Sequence, residues 1–420
     1  MIYDVIVIGG GIAGLYTAYK LLQKDPKLNL LVLEKNNYFG GRIYTVKHQK
    51  LVFEAGAGRF NETHVLLQKL IRDLGLQSKV TAIPSDIKFA AAGSYHPKYE
   101  NMDPFQVMNP VLTEAKKTPR YILREKTFIE FAREILPQVD SQFLEDSFGY
   151  YEQLVSMNAY DALKLFDKGM HTKHDFFVLK DGMSQIIDKL TRSLTEAVCR
   201  KNTSVSQITY NTLYKWFELE IEGKPGTYIT RQCVAALPKP ALESIPFFKP
   251  IQKDLDTIQI KPLCRIYAQF DSKNIWFKQI SKTTTNNRLR YVIPIDDKQG
   301  LIMISYTDGK YARYWKDKPE ATMIKRLKTY VHQTFDIHIE SPKYTKVCYW
   351  PIGTAYWKPD VTSYEVARKI LEPLAKKCPG LYICGENYST NQGWMEGALE
   401  TAELVVEKTM TMYNSPQSWF

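Results

Sequence analysis

The chain has 420 residues, 44% of them hydrophobic, which is enough to bury a sizeable core and to divide into two or three domain-sized units. Its formal charge is +11, but the 56 Lys and Arg residues are scattered and form no run that would wrap a phosphate backbone. The charge therefore reads as solubility and a mild attraction for anions, and nucleic acid is not an expected partner. Six cysteines (Cys199, Cys233, Cys264, Cys348, Cys378 and Cys384) make no Cys-x-x-Cys pair and no metal-ligand spacing with histidine, so reduced thiols in a reducing compartment and no metal are expected. A first strand at Ile2 leaves no room for a signal peptide, and "VVEKTMTMYNSPQSWF" lacks the about 20 apolar residues of a membrane span. The expectation is a cytoplasmic protein without a membrane partner; a homodimer is compatible with the sequence.

"YDVIVIGGGIAGLYTAYKLLQK" reads as a short buried strand at 5–8, a glycine turn, and a helix with apolar residues at Ile12, Leu15, Ala18 and Leu22. Gly9, Gly11 and Gly14, with Ala13 among them, have the G-x-G-x-x-G spacing. Gly9 would make the tight turn, Gly11 would let the backbone approach a pyrophosphate, and Gly14 would let the helix pack on the strand. The helix N-terminus offers free N–H groups and a positive dipole to phosphates. A second strand, "NLLVLEK", ends in Glu34 and Lys35, and Glu34 stands about 20 residues beyond Gly14, where an acid binds ribose hydroxyls. "NNYFGGRIYT" adds a second glycine turn, Gly40 and Gly41, with Arg42 suited to bidentate phosphate contact. In "EAGAGRF" small residues ending at Gly58 keep the backbone bare before Arg59, whose anion could be a cofactor phosphate, the neighbouring Glu54, or a substrate carboxylate.

Further on, 121–195 has helical spacing, as in "FIEFAREIL", whereas 258–308 alternates as strands in "CRIYAQF", "RYVIPI" and "LIMISYT". There is no internal repeat or low-complexity tract. "LYICGENYSTNQGWMEGALETAELVVEK" reads as a strand at 381–384, then Gly385 and Glu386, a polar loop, and a helix opening after Trp394 at Met395. The fold class is α/β (α+β), a Rossmann-like nucleotide-binding domain beside a mixed sheet with helices.

The "GGR" turn and the "GENYSTNQGWMEGALETAELV" segment resemble the flavin-containing amine oxidase family. Weaker likenesses run through "FFVLKDGMSQIIDKL" (Gly182, Met183), "NTSVSQI" and "CVAALPKPAL". The resemblance covers nearly the whole chain and implies bound FAD in a discontinuous domain: 1–75, 196–255 and 351–420 for FAD, with 76–195 (helical) and 256–350 (sheet) for substrate. It implies FAD contacts at Gly9, Gly11, Ala13, Gly14, Glu34, Lys35, Gly41, Arg42, Gly58, Arg59, the Val205 backbone, Gly385, Glu386, Trp394 and Met395. In the family the helix after the aromatic points its N-terminus at the flavin edge that gains negative charge on reduction. Trp394 stands where the family puts an aromatic wall facing substrate, though a Trp before a helix is otherwise a packing staple. Glu396, in the first helical turn, is accounted for by the helix dipole.

Three departures bear on mechanism. "YWPIGTAYWKPD", which resembles the segment that attaches FAD in monoamine oxidases, has no cysteine, so the flavin is expected to be non-covalent; the same alignment puts Gly353 where a second wall aromatic would stand, leaving Trp394 as the single wall. Where the family has a lysine near the flavin, this sequence has Arg265, which cannot serve as a base but could stabilise negative charge or form a structural ion pair. Lys261 would share its strand face, with Pro262 arguing against its lying in the strand. Third, "EAGAGRFNETHVLLQKLIRDLGL" resembles the L-amino-acid oxidases, in which a glycine-rich turn presents an arginine to the substrate carboxylate; Arg290 and Tyr291 are candidate helpers, with surface placement the expectation. Arg265, Trp394 and Arg59 thus form the implied catalytic set. The function implied first is oxidation of an L-amino acid or similar carboxylate-bearing amine by hydride transfer to the flavin, oxygen then yielding hydrogen peroxide. The alternatives are a monoamine or polyamine oxidase, and an FAD-binding protein without amine turnover.

Overall fold

In a computed structural model of the chain, residues 1–171, 173–273 and 275–415 are described. The "YDVIVIGG" segment forms the strand Ile2–Ile8, whose Val5, Ile6 and Val7 are wholly buried, as suits a parallel strand covered on both faces. It is central in a seven-stranded sheet ordered Val205–Asn211, Trp216–Ile221, Thr227–Ala235, Ile2–Ile8, Leu30–Leu33, Cys199–Arg200, with Leu381–Ile383 also paired to Thr227–Ala235. The pairings of Ile2–Ile8 with both neighbours, of Leu30–Leu33 with Cys199–Arg200 and of Thr227–Ala235 with Leu381–Ile383 are parallel; those within 205–235 are antiparallel. Helices Ile12–Lys24, Ser184–Val198 and Met395–Tyr413 share one apolar core over this sheet. Chain ends far apart in sequence meet there: Leu15, Leu399 and Ala402 are completely buried in that cluster.

A second sheet of six strands runs Tyr344–Trp357, Ile258–Gln269, Leu301–Asp308, Tyr291–Asp296, Thr283–Thr284, Lys88–Phe89. One of its faces packs on helices between 104 and 165, including Phe128–Ile135, whose start is fixed by a capping box of Thr127 and Glu130. A three-stranded sheet is ordered Phe60–Asn61, Phe176–Leu179, Val80–Ile83, and its central strand interrupts the 121–195 stretch read as helical from sequence. This sheet matters because it brings Phe176 next to Arg59. All six cysteines are free, and five are buried. No helix among the described residues is long and apolar enough to cross a membrane, and no cluster that could hold a metal occurs among them.

Candidate active site

The three glycines of the first turn have different physical reasons. Gly9 has φ 108°, and a Cβ there would lie 2.4 Å from the Ala236 carbonyl oxygen; a Cβ on Gly14 would lie 2.0 Å from the carbonyl oxygen of Gly9. Both are demanded by the chain's own packing. Gly11 is not: its Cβ would meet nothing within 4 Å. Helix Ile12–Lys24 opens on that space with no side-chain cap and no acid in its first turn, so its N–H groups are left for an anion from outside the chain. Glu34 is buried, and its two carboxylate oxygens accept the Gly10 and Asn36 N–H groups at 2.8 Å each, which fixes it at the rim of the turn. Lys35 beside it is exposed, and Ala13 is buried in the helix. The Thr203 N–H donates to the Glu34 carbonyl at 2.9 Å, leading the chain past the acid into the strand that begins at Val205.

The second glycine turn joins the first through the Gly40 N–H, which donates to the Gly10 carbonyl at 2.8 Å; Gly41, at φ 57°, sits above Gly11. Arg42 Nη1 pairs with Glu386 at 2.8 Å and also donates to the Gly353 carbonyl at 3.2 Å. The other Glu386 oxygen accepts the Gly393 N–H at 2.7 Å, and Gly385, at φ 138°, donates to Thr401 Oγ1 at 2.9 Å. One buried acid thereby ties the second glycine turn, the strand Tyr344–Trp357 and the loop before Trp394 into a single frame. Helix Met395–Tyr413 follows the extended Trp394 with no side-chain cap, a second uncapped N-terminus in the same frame. These features fit a dinucleotide: an open phosphate turn, a fixed acid, and two helix starts able to receive negative charge.

The small residues of "EAGAGRF" are explained by what presses on them. A Cβ on Gly56 would lie 1.9 Å from the Arg42 carbonyl oxygen, and one on Gly58 2.9 Å from Glu54 Cβ. The turn is held from the second sheet: Arg265 Nη1 donates to the Glu54 carbonyl at 2.8 Å, Tyr267 Oη to the same oxygen at 2.7 Å, and Trp350 Nε1 to the Ala55 carbonyl at 2.7 Å. Arg265 also covers the Tyr306 ring at 4.5 Å and makes no ion pair among the described residues, so it acts on the turn that carries Arg59.

Arg59 itself is half-buried. Its guanidinium lies 4.4 Å from the Phe176 ring centroid and 5.8 Å from that of Trp394, and donates a long 3.4 Å bond to Tyr150 Oη. Glu54, the competing partner in the sequence, is turned away: its carboxylate accepts from the Met183 N–H at 2.7 Å and from Thr45. Among the described residues no carboxylate pairs with Arg59. Around it stand Phe176, Tyr150, Tyr291 and Tyr306, with Tyr150 to Tyr291 at 5.1 Å and Tyr150 to Tyr306 at 5.3 Å. Beside Trp394 these rings, from segments remote in sequence, form an aromatic cluster. Gly353 has no room for a wall aromatic, since its Cβ would lie 2.6 Å from the Leu263 backbone nitrogen. His64, 4.7 Å from Trp394, is held down to about 3 by burial and then by the Arg59 charge, so it is neutral beside the cation.

The sequence matches the family described as flavin containing amine oxidoreductase over residues 12–408. The chain belongs to the flavin-containing amine oxidoreductases. A protein of Acanthamoeba polyphaga mimivirus, itself uncharacterised, is 22% identical over 96% of this chain and 93% of its own. Human amine oxidase [flavin-containing] B is 38% identical over 94 residues, 22% of this chain and 18% of that one. A solved structure of putrescine oxidase bound to putrescine shares the fold, with a TM-score of 0.77 and 13% identity over 98% of this chain and 99% of that one.

The amine oxidoreductase adds to or departs from its sequence reading at three charged residues. Glu396 lies in the first turn of its own helix, as read from sequence, but it also accepts the Leu66 and Leu67 N–H groups at 2.8 and 2.9 Å and so caps helix Val65–Asp73, whose N-cap residue makes no side-chain cap. Burial raises its carboxyl above the usual range and the N–H bonds oppose the rise. Glu396→Ala should cost about 2 kcal/mol in urea unfolding, since two buried donors lose their acceptor. Arg290 is not a surface residue. It is 0% exposed and donates to the carbonyls of Glu145, Asp146 and Phe148 at the end of helix Gln138–Ser147, where a cation is favoured, and Tyr291 is buried with it. Lys261 and Pro262 both lie within the strand Ile258–Gln269; the ladder to Tyr344–Trp357 shifts register there, which accommodates the proline, and Lys261 pairs with Glu152 at 2.9 Å.

Asp308 completes that buried cluster by accepting the Glu152 N–H at 2.9 Å, and burial followed by the Glu152 charge pushes it up to about 7. The unfolded chain releases this proton near pH 4 and the folded chain only near 7, so the stability held below about pH 4 is lost as pH rises to about 7. Asp308→Asn should therefore raise the melting temperature more at about pH 8 than at about pH 4, by a difference equivalent to roughly 2–4 kcal/mol.

Proposed function

We propose that this FAD-dependent amine oxidoreductase oxidises an L-amino acid or a similar carboxylate-bearing amine. The observation that carries the reading is Arg59: a guanidinium in an aromatic cluster with no carboxylate partner among the described residues, on a turn fastened by Arg265, Tyr267 and Trp350. A planar fork matches a carboxylate in two parallel charge-assisted bonds, and an aromatic surround strengthens them by excluding water. A diamine such as putrescine would bring positive charge to a cluster that already holds Arg59 and Arg265, which disfavours the polyamine alternative.

FAD would be held, without a covalent link, by the Gly9–Gly14 turn and its helix N-terminus, by Glu34, Gly41, Arg42, Gly58 and the Val205 backbone, and by Gly385, Glu386, Trp394 and Met395; bound there, it supplies a two-electron acceptor. Arg59 anchors the carboxylate and Trp394 and Phe176 restrain the side chain, which fixes the Cα–H and the amine in one orientation before reaction. Arg265 keeps a fixed positive charge close to the site and cannot take up a proton, so it stabilises negative charge without acting as base. The overall change removes two electrons and two protons from the CH–NH2 unit, leaving an imine that water converts to a keto acid and ammonia while oxygen becomes hydrogen peroxide. Peroxide release measured across L-amino acids and carboxylate-free amines tests this: turnover of amino acids is expected, and turnover confined to amines would refute the assignment.

A further inference from the structure

The Phe176 ring meets a second cation. Lys282, next to the short strand Thr283–Thr284, sets its Nζ 6.0 Å from the centroid of the same Phe176 ring that Arg59 covers at 4.4 Å. The two charges therefore overlook one ring, no farther apart than these distances laid end to end. Lys282 donates to the Ser85 carbonyl at 2.9 Å, which fixes the ammonium without neutralising it. Among the described residues no carboxylate forms an ion pair with it, although Asp86, from the segment before Lys88, and Asp103, at the start of helix Pro104–Ala115, act on it at longer range. Burial first, and then the Arg59 charge, push the ammonium down to about 7. A lysine on an open surface would carry its charge into water; this one is kept beside another cation and an aromatic ring, an arrangement that becomes favourable when an anion arrives between them.

We infer that Lys282 receives a second carboxylate, so that the substrate class is an L-amino acid with an acidic side chain or a similar dicarboxylic amine. This rests on the assignment of Arg59 to the first carboxylate. The Phe176 ring that both cations approach offers an apolar surface for the methylenes that separate two carboxylates in such a molecule. An apolar side chain would leave the half-buried Lys282 without an anion, and a second amine would face two like charges, so the same residue selects for one class and against the others.

The test uses amine-free probes, glutarate with two carboxylates and butyrate with one, titrated into the flavin-loaded protein by calorimetry. Glutarate is expected to bind about tenfold or more tightly than butyrate, the gain from one further charge-assisted contact. Lys282→Met should bring glutarate down to the butyrate affinity, whereas Lys282→Arg, which keeps the charge, should retain the preference. Glutarate binding no tighter than butyrate, or a preference that survives Lys282→Met, overturns the inference. Should the methionine variant fail to fold, the wild-type protein decides: the preference must fade between about pH 6 and about pH 9 as Lys282, which Arg59, Asp86 and Asp103 face, loses its proton, and a preference constant over that range is equally fatal. Failure of the amino-acid assignment itself shows separately, as an absence of peroxide from every amino acid, and does not alter the binding comparison.

Discussion

Arg59→Met is expected to lower kcat/KM for an L-amino-acid substrate by about 10²–10³-fold while leaving the flavin content unchanged, because a bidentate, partly desolvated carboxylate contact contributes roughly 3–4 kcal/mol. The prediction separates two roles that the geometry permits Arg59 to play. Its guanidinium lies against Phe176 and Trp394, so a packing role alone would show as a loss of stability with the remaining activity nearly normal. A substrate role shows as a loss confined to carboxylate-bearing amines, with any residual turnover of carboxylate-free amines the same in both proteins. Arg59→Lys should recover only part of the activity, since a point charge replaces the fork. An unchanged kcat/KM in Arg59→Met would remove the carboxylate anchor from the account.

The second large effect concerns the glycine turn. Gly11→Ala is expected to leave the fold within about 0.5 kcal/mol of the wild type, because its φ of −75° suits alanine and its Cβ meets nothing within 4 Å. Its methyl group nevertheless occupies the space that a pyrophosphate needs, so FAD affinity should fall by about 30-fold or more, measured by titrating the flavin-free protein with FAD. Gly14→Ala is expected to behave differently. Its Cβ would meet the Gly9 carbonyl oxygen at 2.0 Å, which forces helix Ile12–Lys24 away from the sheet and costs about 3 kcal/mol or more in stability, with flavin lost as a consequence. If both variants unfolded together, or if both kept FAD, the division of labour between the two glycines would be wrong.

The cofactor frame was legible in the sequence because its parts are local: a strand, a turn and a helix start within about 15 residues fix where Gly9, Gly11 and Gly14 stand, and an acid about 20 residues later follows from the same unit. The aromatic cluster around the arginine was legible only at Arg59 and Trp394. Phe176 reaches Arg59 through the pairing of Phe60–Asn61 with Phe176–Leu179, and Tyr150 and Lys282 arrive from other segments; no spacing along the chain announces these meetings. Charged residues were hardest to read, because a charge is placed by the partner that packing brings to it. Glu396 caps a helix that begins at Val65, Arg290 holds the end of a helix that closes at Ser147, and Lys261 finds Glu152, all across long separations. Arg42 shows both sides: its glycine turn is visible in sequence, while its partner Glu386 lies at the other end of the chain. The presence of Tyr267 and Trp350 behind the turn could have been suspected only from an aromatic at alternate strand positions, a signal that ordinary core residues share.

The most direct measurement of the central claim is the visible spectrum of the purified protein before and after anaerobic mixing with a panel of L-amino acids and amines. A yellow protein whose flavin band bleaches with amino acids, and bleaches far more slowly after Arg59→Met, is the predicted result. A yellow protein that no amino acid bleaches but a simple amine does would contradict it.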